Sequence, residues 1–167
     1  QNPIEQQGTY VLPEAQLDRF MFRMTLGYPT AQEEINIMSR FSSDNPVENL
    51  QPVASAGDVL WLRDQARQVY VADAIKIYIT NLAQQTRRHP DVELGASPRA
   101  SLMLLQASKA AALLSGRDYV IPDDVQGLLH YVFDHRLLIK AEGRLRGAET
   151  SSIVESLKGT VQVPTQK

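Results

Sequence analysis

Residues 97–114 read Ser97-Pro98-Arg99-Ala100-Ser101-Leu102-Met103-Leu104-Leu105-Gln106-Ala107-Ser108-Lys109-Ala110-Ala111-Ala112-Leu113-Leu114. Serine is a preferred N-cap, and proline fits the first helical position because the N–H it lacks would have no partner there. The helix over Pro98–Leu114 that follows is apolar on almost every side, so it is expected to be the central buried helix of its domain. On its C-terminal side, Pro122-Asp123-Asp124 opens a second helix carrying Val125, Leu128, Leu129 and Val132. Its two acids complement the positive end of the helix dipole. The tail near Ser151–Val163 is weakly patterned and is read as a short helix and a strand.

On the N-terminal side the helical period continues. Val71, Ala74, Ile75, Tyr78 and Leu82 mark one helix, and Val59, Leu62, Ala66 and Val69 another. Ala31, Ile35 and Met38 mark a third, begun by Thr30 and Glu33 at capping-box spacing. Before it, Gly27-Tyr28-Pro29 breaks a run of different period. Phe20, Phe22, Met24 and Leu26 alternate with Met21, Arg23 and Thr25, as in a strand whose sheet began upstream. A short helix over Glu14–Asp18 precedes it, with Pro13 suited to the first turn. The architecture expected is mainly α, a bundle of about five helices by these period rules.

Composition narrows the function classes. The chain has 167 residues, 43% of them apolar, enough for one core. With 22% charged residues and a net charge of -2 it offers no general attraction to DNA or to an anionic membrane. No apolar run approaches the roughly 20 residues of a membrane span. The absence of cysteine excludes a disulfide scaffold and a thiolate metal site, and fits a reducing cytoplasm. The opening Gln1-Asn2-Pro3 reads as if it began mid-domain, so further sequence upstream is expected.

Arg99 is the oddest residue on physical grounds. It stands in the first turn of its helix, where the dipole disfavours a cation. An arginine beside free N–H groups makes an anion site, with phosphate the natural anion; the plainer account is an ion pair with a surface acid or a stem laid along the surface. Arg19, at the end of a short helix beside Asp18, is explained by the dipole alone. Asn2 taken alone is a turn residue. His130 and His135 are five apart, which misses the i, i+4 spacing of ligands on one helix face, and His89 lies in a loop. No metal site is expected, no Ser-His-Asp arrangement is visible, and the chain holds no glycine-rich phosphate cradle.

The run Gln1-Asn2-Pro3-Ile4-Glu5-Gln6-Gln7-Gly8-Thr9-Tyr10, followed by Leu12-Pro13-Glu14-Ala15-Gln16-Leu17-Asp18-Arg19-Phe20, resembles the MoxR family of AAA+ ATPases. Gly27-Tyr28-Pro29, Leu94-Gly95-Ala96-Ser97-Pro98-Arg99-Ala100, Gly116-Arg117-Asp118-Tyr119-Val120-Ile121-Pro122-Asp123-Asp124-Val125 and His135-Arg136-Leu137 continue it in order. The resemblance implies a C-terminal half: residues 1–26 as the remnant of the α/β core, and residues 27–167 as the helical lid. It implies Asn2 as sensor 1, polarising the attacking water, and Arg19 as the arginine finger that reaches a neighbouring subunit's nucleotide. Arg99 would be sensor 2, contacting nucleotide from the lid. It also implies ATP and Mg2+ as cofactors and a ring, often a hexamer. Implied partners are von Willebrand factor A-domain proteins and client complexes that are matured or loaded with metal, in the cytoplasm. The family's phosphate loop and Mg-site acids would precede Gln1, so this polypeptide alone is expected neither to bind nor to hydrolyse ATP appreciably.

Two other readings stand beside this one: a magnesium-chelatase-like ATPase subunit, and a non-catalytic helical protein-binding module with Arg99 as a surface residue. A G-x-x-x-x-G-K-[ST] motif upstream of Asn2 in the gene separates the ATPase readings from the binding module.

Overall fold

The computed structural model describes residues 12–42 and 45–165. Among them the chain is mainly helical. The helices are α1 (Glu14–Leu17), α2 (Ala31–Phe41), α3 (Ala56–Gln68), α4 (Asp73–Arg88), α5 (Pro98–Leu114), α6 (Pro122–Phe133), α7 (Ala141–Leu145) and α8 (Thr150–Thr160). Strands β1 (Val92–Leu94) and β2 (Leu138–Ile139) form one small antiparallel sheet, with Val92 opposite Ile139 and Leu94 opposite Leu138. The chain divides into two compact units, residues 24–64 and the remainder.

The larger unit carries the core. Helices α4, α5, α6 and α8 meet around Leu82, Leu104, Leu129, Phe133 and Val154, all fully buried. Small residues on one face of α5, at Ala100, Ala107, Ser108 and Ala112, let the neighbouring helices approach closely. The expectation that α5 is buried nearly all round is corrected here. The helix is central, packing on α4 and α6, but Leu102 is 60% and Leu114 81% exposed. The buried hydroxyls are bonded: the Ser108 hydroxyl donates to the Leu104 carbonyl, the Thr86 hydroxyl to the Ala83 carbonyl, and Gln126 donates to the Tyr78 hydroxyl at 3.0 Å. His130 ties α6 to α8 through Glu155, 2.7 Å away, and faces Asp134 on its own helix.

Two joints set the path of the chain around this core. After α3, Tyr70 makes a parallel bridge to Tyr119, its N–H on the Asp118 carbonyl and its own carbonyl accepting from Val120. Val69, read from its period as helical, is therefore the first buried residue beyond α3. At the start of α6 the Asp124 carboxylate accepts from the Ile121 N–H at 2.9 Å and from both Nη atoms of Arg117, at 2.8 and 2.6 Å. Burial pushes this carboxyl up; the Arg117 guanidinium and the Ile121 amide outweigh it and hold the acid below its ordinary value.

Three differences from the sequence reading have a physical cause. Residues 20–26 alternate as a strand would, yet no strand forms there, and the backbone makes other bonds: the Arg23 N–H donates to the Tyr131 carbonyl. The β1–β2 pair, three and two residues long, is too short to show a period of two. Helix α8 forms, but no strand follows it among the described residues.

In the unit of residues 24–64, α2 has the expected capping box. The Thr30 N–H and hydroxyl donate to Glu33 at 2.7 and 2.8 Å, and the Glu33 N–H returns to the hydroxyl. No residue of α2 is buried, and Ile35, Ile37, Met38 and Phe41 are all exposed.

One glycine decides how α5 begins. A β-carbon on Gly95 would stand 2.7 Å from the backbone N and Cα of Arg87, so the loop crosses α4 only because no side chain is there. The loop is then pinned to α4: the Ala96 N–H donates to Thr86 Oγ1 at 2.9 Å, and Arg87 Nε donates to the Ala96 carbonyl at 2.8 Å. Gly95→Ala is expected to cost about 1–3 kcal/mol, as overpacking against fixed backbone does. Gly127→Ala, where the added carbon meets nothing within 4 Å, is expected to be neutral or stabilising by up to about 1 kcal/mol. Urea unfolding of the two variants checks the contrast, and equal midpoints would refute the close approach.

Candidate functional site

Three residues were expected to carry chemistry. Asn2 lies outside the described residues. Arg19 follows α1 in a tight turn, where the Asp18, Arg19 and Phe20 N–H groups donate to the Glu14, Gln16 and Leu17 carbonyls at 3.0–3.1 Å. Its side chain is exposed and makes no hydrogen bond or ion pair among the described residues.

Arg99 stands two residues past the Ser97 N-cap, whose hydroxyl accepts from the Ala100 N–H at 3.3 Å. Its side chain is 51% exposed, with Nε 3.9 Å from Asp18 Oδ2. The plain account of Arg99, a pairing with an acid, is thus met in part. A half-exposed pair at that distance contributes less than about 1 kcal/mol. Arg99 is held loosely at a helix start where Pro98 has no N–H and Ser97 takes the Ala100 and Ser101 N–H groups, so its guanidinium and its own N–H are what this end offers an anion.

The acid that Arg99 meets is the centre of the arrangement. Asp18 accepts a hydrogen bond from the Ser97 hydroxyl, at 2.9 Å to Oδ1 and 3.1 Å to Oδ2. Its Oδ1 also accepts from Arg136 Nε at 3.2 Å. The α5 N-cap, Arg99 and Arg136 therefore converge on one carboxylate, and the next residue in the chain is Arg19. The fold brings one of the three expected residues, Arg99, to an acid that the sequence reading named only as a neighbour; Arg19 adjoins that acid in the chain but does not bond it.

Arg136 is the second residue that reading passed over. Its side chain is 1% exposed. Besides Asp18 Oδ1, its guanidinium donates to the Asp18 carbonyl at 3.2 Å, the Met21 carbonyl at 3.3 Å, and the carbonyls of Phe20 and Val132. It also touches the Met103 sulfur. Burial lowers the pKa of this group, and the Asp18 carboxylate opposes that; an arginine so placed remains charged. Beside it, His135 Nε2 donates to the Phe20 carbonyl at 3.1 Å, while its buried Nδ1 has no partner among the described residues. Burial holds His135 below the ordinary histidine value, in keeping with a neutral ring. A signal for Arg136 existed: it is a lone arginine in the otherwise apolar run Leu129 to Ile139, interrupted only by Asp134 and two histidines.

Comparison with known proteins follows the same two segments. The AAA lid domain family matches residues 84–157, and the ATPase family associated with various cellular activities (AAA) matches residues 1–22. The chain is 44% identical over 167 residues to YeaC of Bacillus subtilis, covering 100% of this chain and 52% of that protein. It is 36% identical over 173 residues to the chaperone MoxR1 of Mycobacterium tuberculosis, covering 98% and 45%. It is 27% identical to the MoxR protein of Paracoccus denitrificans, covering 98% and 54%. A crystal structure of a candidate ATPase from Cytophaga hutchinsonii superposes with a TM-score of 0.90 at 33% identity, over 99% of this chain and 53% of that one. The chain spans about half the length of the relatives it matches. With both segments matched in order and the helical fold shared, the chain belongs to the MoxR-type AAA+ ATPases and carries their lid domain.

Proposed function

We propose that this chain is the lid-bearing half of a ring-forming ATPase of the MoxR type, with residues 1–26 belonging to its α/β core and residues 27–167 to its lid. In this reading Asn2 polarises the attacking water, Arg19 is the arginine finger offered to a neighbouring subunit, and Arg99 is the lid residue that contacts nucleotide. The observation that carries it is the convergence on Asp18. One acid adjoins the exposed, unpaired Arg19 and faces the loosely held Arg99 at a helix start.

Phosphoryl transfer asks little of a protein beyond positioning and charge stabilisation, which two exposed guanidinium groups can supply. The Arg99 side chain and its own N–H, at the positive end of α5, fit a phosphate group of ATP. The phosphate loop and the acids that would hold Mg2+ belong to the part of such a protein that this chain does not contain. The whole protein would work in the cytoplasm as a hexameric ring. With von Willebrand factor A-domain partners it would couple ATP hydrolysis to the maturation, assembly or metal loading of client complexes.

The chain by itself is expected to turn over no ATP above a matched blank; turnover that survives removal of contaminating ATPases would overturn the division of labour. In the full-length ATPase, Arg19→Ala is expected to lower kcat roughly 10³-fold or more while nucleotide binding is kept. Mixed rings of Arg19→Ala subunits with subunits lacking the phosphate-loop lysine should regain turnover, because the finger acts across a subunit boundary. An Arg19→Ala enzyme with unchanged turnover removes this residue from the site. Arg99→Ala is expected to shift folding stability by less than about 0.5 kcal/mol, as an ordinary surface change does, yet to lower turnover in the full-length enzyme. Wild-type hydrolysis by that variant would reduce Arg99 to a surface residue.

A further inference from the structure

Arg19 sits in a segment that cannot hold its own shape. Helix α1 is four residues long with no buried residue, far below the length at which a helix persists unaided. What fixes the turn after it comes from the far end of the chain. The Arg136 guanidinium bonds the carbonyls of Asp18 and Phe20, the residues immediately before and after Arg19, and then the carbonyl of Met21. His135 donates to the same Phe20 carbonyl, and the Tyr131 carbonyl accepts the Arg23 N–H. Apart from the Phe20 N–H, which the Leu17 carbonyl accepts, the backbone anchors described on the C-terminal side of Arg19 are supplied by residues 131–136, while the exposed Arg19 side chain makes no bond among the described residues.

We propose that Arg136 is the positioning residue for Arg19: from inside the helical bundle it fixes the turn 18–20 and so sets where the arginine finger points. The inference rests on the functional reading above and adds to it a mechanical statement. The finger is clamped to the helices that carry Arg99, so both arginines move as one body. Asp18 is the second half of the clamp, since it joins Arg136 Nε at 3.2 Å to the Ser97 cap of α5. A finger fixed in this way reaches the reacting phosphate without an entropic cost of ordering at each turnover.

The test is a kinetic cycle in the full-length ATPase, with Arg136→Lys made alone and in an Arg19→Ala background. Lysine keeps the charge and loses the fork that bonds four carbonyls and a carboxylate at once. The single variant is expected to lose about tenfold or more in kcat with its KM for ATP within about twofold. In the Arg19→Ala background the same change is expected to cost less than about twofold, because the residue it acts through is gone. Equal losses in both backgrounds, or wild-type kcat in a folded Arg136→Lys enzyme, overturn the inference.

Should Arg136→Lys fail to fold, Asp18→Asn carries the same cycle. Asparagine can still accept from Ser97 while giving up the charge opposite Arg136. A second readout is independent of turnover. A spin label at Arg19→Cys should gain mobility when Arg136 is replaced, and a label at the exposed Ser151 should not. Equal changes at both positions would mean general loosening and refute the clamp. An unimpaired Arg19→Ala enzyme brings down the functional reading and this inference with it. An impaired Arg19→Ala enzyme beside an unimpaired Arg136→Lys enzyme brings down the inference alone.

Discussion

A desolvated guanidinium is tolerable only where every one of its N–H groups finds an acceptor. Arg136, with its side chain 1% exposed, meets that constraint by drawing one carboxylate and several carbonyls of residues 18–21 around itself. Leaving such a buried cation without its counter-ion typically costs about 3–5 kcal/mol, because the charge stays dry and unpaired; the acid, 29% exposed and bonded also to Ser97, is the less demanding partner. Residues 18–21 are therefore held by the demand of a cation for acceptors. Hydrophobic burial has little part in it, since none of α1 is buried.

Around that anchor the arrangement is graded in strength. Arg136 and Asp18 are bonded within the protein; Arg99 touches the same carboxylate only at 3.9 Å and half in solvent. One acid thus has a permanent partner and an exchangeable one. The exchangeable partner is fixed at its backbone from the other side, where Thr86 and Arg87 of α4 grip Ala96 and the bare Gly95 lets the loop pass. The structure pins the backbone just before Arg99 and leaves its side chain half in solvent against one acid, an arrangement in keeping with the proposed contact to nucleotide.

Much of this was legible in the sequence. The period of 3.6 gave α2 to α6, and the Thr30–Glu33 box and the Ser97-Pro98 and Pro122-Asp123-Asp124 starts marked their ends closely. Local rules failed where the interaction partner was distant. The alternation over 20–26 looks like a strand, but hydrophobic period cannot say whether a neighbouring strand exists, and here the backbone turns to Tyr131 and Arg136. The exposure of Leu102 and Leu114 depends on which side of α5 the other helices occupy, something composition does not contain. For the site, Arg99 stood out because it violates a local electrostatic rule. Asp18 violates none that is local, and Arg136 shows only as a cation in an apolar run: their pairing spans 118 residues and becomes visible only once both ends are in place.

That separation has a consequence for the order in which the molecule assembles. Helices α4, α5 and α6 lie close in sequence, and loops between such neighbours close at small entropic cost. The turn bearing Arg19 must instead wait for a pocket of donors whose walls come from α5, α6 and the residues just after them. Until Val132 and Met103 are packed, Arg136 has no dry place to sit and the carbonyls of Asp18, Phe20 and Met21 lack the donor it supplies. The Arg19 turn therefore joins late, as a transplant onto a finished bundle, and it loses its hold when the bundle loosens.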